Sequence, residues 1–146
     1  METLFNDIQK RIADRIEGLS LIDEDYGQLE AIETEEDTYP VTFPCVLISA
    51  PDVEWTTNLG GGSQRGNCTV TVRLAIDCYD DTHVGSGTEK KAAERMRLAA
   101  RVHCALQCLV SENCTPLMRK TSRNYSRPHA VKVYETTYIC WINDFV

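Results

Sequence analysis

The sequence has no apolar run of the roughly 20 residues that a membrane-spanning helix needs, which excludes a helical transmembrane protein. Its first residues, Met1, Glu2, Thr3, Leu4, Phe5, Asn6 and Asp7, lack the basic and then apolar blocks of a secretory leader, so the expected setting is a cytoplasm. It has no CxxC pair among seven cysteines, Cys45, Cys68, Cys78, Cys104, Cys108, Cys114 and Cys140. That odd count argues against a full disulfide framework, and reduced, metal-free thiols are expected. Without a secretory route the sequons at Asn67, Asn113 and Asn124 carry no weight.

A nucleophile elbow, an HExxH pair and a zinc-deaminase pattern are all absent, and acids, bases and nucleophiles do not cluster. No catalytic, cofactor-binding or metal residue is therefore nominated, and no enzymatic activity is expected. Lysine and arginine number 15 against 22 acids, for a net charge of -7. This argues against a nucleic-acid or anionic-membrane partner contacted by the whole surface. The shortage is local too: residues 23–37 carry Asp23, Glu24, Asp25, Glu30, Glu33, Glu35, Glu36 and Asp37 with no Lys or Arg. The stretch reads as a solvated connection with a short strand around residues 29–32.

What the sequence does have is β-patterning. In residues 67–79, Cys68, Val70, Val72, Leu74, Ile76 and Cys78 alternate with Thr69, Thr71, Arg73, Ala75 and Asp77, marking a long strand with one buried and one wetter face. A second β-like run covers residues 53–59. Between them Gly60, Gly61, Gly62, Ser63, Gln64, Arg65 and Gly66 have the composition of a flexible hairpin loop, mobile in the free subunit and ordered by a partner. Upstream, Leu4, Ile8, Ile12 and Ile16 form one stripe of an amphipathic helix capped by Thr3 and stopped near Gly18. Residues 45–49 continue from Tyr39-Pro40 and Phe43-Pro44 as a buried strand.

A second helix is expected over residues 88–110, with Ser86 and Glu89 at capping-box spacing and the stripe Ala92, Met96, Ala99, Val102, Leu106 and Leu109. Residues 117–125 and 130–145 close the chain as strands around Ser126-Arg127-Pro128. In the last run Val131, Val133, Ile139 and Trp141 share one face and Tyr134, Tyr138, Cys140 and Ile142 the other, so burial of both is expected. The fold class is α+β over residues 1–146 as a single domain. It comprises a mainly antiparallel sheet of about five strands, with the N-terminal helix and one long helix packed on one face.

Residues 60–66 lack the helix N-terminus and Gly-Lys-Ser/Thr ending of a phosphate loop. His103, Cys104 and Cys108 lack a second ligand pair, and the two cysteines read as small core or interface residues. His83 and His129 read as exposed. The remaining asymmetry is the basic block Arg119, Lys120, Arg123, Arg127 and Lys132, without an acid. It is either a solvated face or the complement of the acidic segment, within one subunit or between neighbours.

The order of elements resembles bacteriophage tail-terminator and minor tail proteins, small α+β subunits that form a ring at the head-proximal end of a tail tube and join it to the head. The likeness covers nearly the whole chain. It lies in the N-terminal helix, the proline-introduced Phe43-Pro44-Cys45-Val46-Leu47-Ile48 strand, the long strands flanking the glycine-rich loop, the single long helix, and a closing strand through Val133-Tyr134-Glu135 to Tyr138 and Asp144. The resemblance implies a structural protein of a phage or prophage. It would form a homo-oligomeric ring such as a hexamer, assembled in the host cytoplasm and carried in the virion tail. Other tail-tube and head-connector proteins would be its partners, and it would need no cofactor, membrane or sequence-specific nucleic acid. Interaction would fall to Gly60, Gly61, Gly62, Arg65, Arg119, Lys120, Arg123 and Arg127. Two alternatives remain open at this point. One is a hot-dog-like dimer binding or transforming a small molecule, which needs a polar or acidic residue aimed from the long helix into an apolar tunnel. The other is a cytoplasmic adaptor unrelated to phage.

Overall fold

Helix α1 (Glu2–Arg15) is followed by strand β1 (Leu21–Glu24), a 3-10 turn (Gln28–Glu30), and strands β2 (Cys45–Ile48), β3 (Asp52–Gly60) and β4 (Ser63–Asp77). Helix α2 (Lys91–Leu106) and a hairpin of β5 (Met118–Arg127) and β6 (Val131–Asp144) complete the chain. The computed structural model describes residues 1–32, 38–80 and 82–146; Glu33, Glu35, Glu36 and Asp37 of the acidic connection lie outside the described residues. The α+β order is the expected one, with six strands in the sheet rather than about five.

Strand order is β1-β2-β4-β6-β5, with β1 parallel to β2 and the other pairings antiparallel. β3 pairs with Ser63 to Thr69 of β4, on the edge where β2 pairs with Val72 to Ala75. The unexpected strand is β1. Its Asp23 and Glu24 read as part of a solvated run, and only pairing with the fully buried β2 makes it a strand. The strand expected at residues 29–32 is instead the 3-10 turn, which puts Leu29 inside.

On the helix side, Leu4, Ile8 and Ile12 of α1 pack with Val102, Ala105 and Leu106 of α2 onto alternating residues of β2, β4 and β6. The buried side chains of α2 all lie in its second half, with Leu98 partly buried beside them. Met96, placed on the apolar stripe by its spacing, is 60% exposed, since the side chains that α2 buries, Val102, Ala105 and Leu106, all come later in the helix. The expected capping box does not form: the helix starts at Lys91 with no side-chain cap, and Glu89 accepts the Gly85 N–H. A second core occupies part of the opposite, outer face, where Leu29 with Tyr39, Val41 and Phe43 roofs Cys45, Leu47, Ala75, Val131 and Val133. The roof stops midway. Ile139 and Trp141 beyond it are 40% and 38% exposed, so burial of both faces of β6 holds only at its start.

The expected loop at residues 60–66 is corrected. Gly60 pairs with Ser63, leaving only Gly61 and Gly62 as a turn, with φ of 60° and 86°. Positive φ at both central residues matches the right-handed strand twist and suits glycine. Gly66 lies within β4, where an added Cβ would stand 2.6 Å from Val53 Cγ1 and 2.8 Å from the Glu54 carbonyl oxygen. Its glycine is a packing requirement and not a sign of mobility.

Two substitutions test this arrangement by denaturant unfolding. Leu106→Ala, at a fully buried position, should destabilise by about 2–5 kcal/mol. Gly66→Ala should cost about 1–3 kcal/mol through overpacking against β3; an unchanged midpoint would return residues 63–66 to a loop.

Candidate functional site

The outer face carries its charge in one connected cluster. Arg73, in the middle of β4 and only 7% exposed, aims its guanidinium at the connection after β1. Its Nε donates to Asp25 Oδ2 at 2.7 Å and its Nη2 to Asp25 Oδ1 at 2.9 Å, a bidentate pair. Nη2 also donates to Glu30 Oε2 at 3.0 Å, and Nη1 donates to Glu30 Oε1 and, at 3.1 Å, to the Tyr125 hydroxyl. A guanidinium has five N–H donors, and all five are engaged. The Tyr125 hydroxyl donates onward to Glu135 Oε1 at 3.2 Å. Arg123 Nε donates to Glu135 Oε2 at 2.5 Å, with its guanidinium 4.9 Å from the Tyr125 ring centre.

Three carboxylates, Asp25, Glu30 and Glu135, thus face the guanidinium groups of Arg73 and Arg123, and Arg127 Nε donates to the Leu29 carbonyl at 3.1 Å. Burial pulls the Arg73 pKa down, but its hydrogen bonds to Glu30 and Asp25 outweigh this and hold it above the ordinary arginine value. The Arg73 hydrogen bond holds the Glu30 carboxyl below its ordinary range, against the opposing effect of burial. An open groove of about 500 Å³ lies over the cluster. With every Arg73 donor satisfied internally, the Arg73 guanidinium acts as a clamp.

The expected interaction residues are dispersed. Gly60, Gly61 and Gly62 form the tip of the β3–β4 hairpin. Arg65 stacks over Trp141 at 4.9 Å, among the exposed apolar side chains of the outer face. Arg123 and Arg127 are drawn into the clamp of their own chain. Arg119 turns to the helix side and lines a groove of about 250 Å³ with His103 and Tyr134, while Lys120 occupies a bulge between the registered Arg119 and Thr121. Of the basic block, Arg127 thus meets the acidic segment within the chain, through the Leu29 carbonyl, while Arg123 meets Glu135 of β6.

Sequence reasoning missed Arg73. It read as one of the residues on the wetter face, although a lone arginine among threonines and apolar residues, in a chain whose acidic segment lacks its own bases, was the available signal. It also missed the 2.9 Å hydrogen bond between His103 Nδ1 and the hydroxyl of the buried Tyr138. Burial, and then the nearby Arg119, lower the His103 pKa. Cys104 and Cys108 are exposed, which removes them from the core, and His129 is half-buried against Tyr39. Among the described residues no group of three or more His, Cys, Asp or Glu side chains is placed to hold a metal ion.

Arg73→Met should destabilise the chain by about 3 kcal/mol, since it strands Asp25 and Glu30 beside a half-buried tyrosine. The clamp also has a pH signature. With its folded pKa depressed below 4.5, Glu30 contributes fully above that ordinary value and loses the contribution as pH falls through the depressed one. Glu30→Gln should therefore flatten the acid limb of a stability-against-pH curve; an unaltered limb would show that Glu30 is not held by Arg73 in solution.

No known protein family matches this chain, and no curated protein does. Among solved structures, a chain from the "Virion of native gene transfer agent (GTA) particle" is similar over 98% of this chain and 96% of its own length, with a TM-score of 0.56 and 12% identity. At that identity the likeness establishes the fold.

Proposed function

We propose that this chain is a structural subunit of a phage-type particle, closing into a homo-oligomeric ring that terminates the tail tube and joins it to the head or connector. The observation that carries the reading is the fold shared from end to end with a virion chain. The surface supports it. Met118, Ile139 and Trp141 stand exposed and close together on the outer face, since Met118 and Ile139 are cross-strand partners and Trp141 follows Ile139 on the same face. Arg65 borders this patch through its stack on Trp141, and Gly60, Gly61 and Gly62 extend the same end of the sheet. In this reading that end docks the next tail component, Arg119, Lys120, Arg123 and Arg127 serve subunit association, and the chain acts in the virion without cofactor or catalysis.

The hot-dog alternative draws no support. Glu94, the acid within α2, lies 3.6 Å from Lys91 on the surface, and the space between α2 and the sheet beside Tyr138 measures about 10 Å³. A ligand tunnel needs far more.

Sedimentation velocity over a range of concentrations, with electron microscopy of the assembled fraction, tests the proposal. A closed ring is expected; a monomer at every concentration, or a stable dimer, overturns it. Arg119→Glu with Lys120→Glu, neither of which opposes an acid in its own subunit's clamp, should slow assembly at low salt and matter less near physiological salt, where the Debye length is about 8 Å. Monomer stability should be unchanged within about 0.5 kcal/mol.

A further inference from the structure

The register of the sheet sets two opposite edges on common rows. Asp23 of β1 pairs with Leu47, Leu47 with Arg73, Arg73 with Glu135, and Glu135 with Arg123 of β5. Asp23 and Arg123 therefore begin and end one row across all five strands, on the same face, since cross-strand partners share a face. The row through Glu24 ends likewise at Ser122, that through Ile22 at Asn124 and that through Leu21 at Tyr125. Every residue of β1 has its counterpart on β5. The two edge strands also run antiparallel, because β1 follows β2, which opposes β4, and β6 opposes both β4 and β5.

From this we infer that β5 of one copy adds to β1 of the next, residues 122–125 against residues 21–24, making the sheet continuous from subunit to subunit. The inference rests on the ring reading and names its joint. A rotation about an axis along the strands brings the two edges together antiparallel with no sliding, the condition for a head-to-tail contact that repeats and closes. Among the described residues neither edge has a strand on its outer side. The charges choose the partner: the β5 edge carries Arg119, Lys120, Arg123 and Arg127 and no acid, and β1 carries Asp23 and Glu24 and no base. A basic edge by itself deters strand addition. With Arg123 facing Asp23 on one row and the other bases flanking it, the edge becomes selective for a second copy of this chain. Arg123 suits the contact, since its side chain is 68% exposed while its Nε holds Glu135.

Asp23→Arg and Arg123→Glu, made separately, each put like charges across every joint, and each should raise the concentration needed for assembly about tenfold. An equimolar mixture of the two variants, and the double variant, restore opposite charges and should recover assembly. Because Arg123 also holds Glu135, thermal melts of the monomers accompany the series. If Arg123→Glu does not fold, Asp23→Arg decides alone, since among the described residues the Asp23 carboxylate makes a local bond to the Glu24 N–H and no other. Amide exchange of residues 21–24 and 122–125 should slow in the assembled state. If the wild type stays monomeric, the ring reading fails and this joint with it. If the wild type forms rings while the folded variants assemble equally well, or exchange at these residues is unchanged, the ring stands and the joint is wrong.

Discussion

Arg73 holds a run of connecting chain against the middle of the longest strand, and the two-sided burial of the sheet follows from that grip. Asp25 precedes the 3-10 turn and Glu30 ends it, so fixing both carboxylates on one guanidinium fixes the turn and seats Leu29 over Cys45, Leu47 and Ala75. Desolvating an arginine is costly, and it is tolerated here because all five donors find acceptors. The clamp thereby fixes which stretch of the acidic connection joins Tyr39, Val41 and Phe43 in the roof.

The roof divides the outer face. Under it β2 is buried on both sides and the sheet behaves as the middle layer of three. Beyond it the paired β3, β4 and β6 extend as an arm covered only on the helix side, leaving Ile139 and Trp141 in solvent. One sheet thus carries both a doubly covered body and a singly covered arm, and among the described residues the space between α2 and the sheet beside Tyr138 is about 10 Å³. Binding surfaces held on paired strands lose less conformational freedom on docking than surfaces on loops.

Charge serves this architecture at two scales. Arg123 and Arg127 close the clamp, while Arg119 and Lys120 remain on an open strand exposed along both faces. The acidic segment is divided in the same way, Asp25 and Glu30 turning inward as Asp23 and Glu24 reach the opposite edge. The clamp is close to charge-balanced within the chain, so the excess of acid over base that the composition records falls on the rest of the surface.

Periodicity by itself determined the α+β class, the amphipathic N-terminal helix and the long alternating strand, because burial of one face leaves a period in the residues whatever the topology. It also located Leu106 in the core. Tertiary structure decided the rest. β1 is a strand because β2 offers it an edge, and the glycine-rich run is mostly strand because Val53 and Trp55 pack against it, which composition cannot register. Met96 keeps a core spacing yet lies in water because the side chains that its helix buries all come from the later turns. Arg73 and its partners, Asp25, Glu30 and Tyr125, are separated by up to 100 positions of sequence and joined only by the fold. A polar side chain carries no periodic signal of its own, so whether it is solvated or forms the centre of a clamp depends on which distant acceptors the chain brings to it.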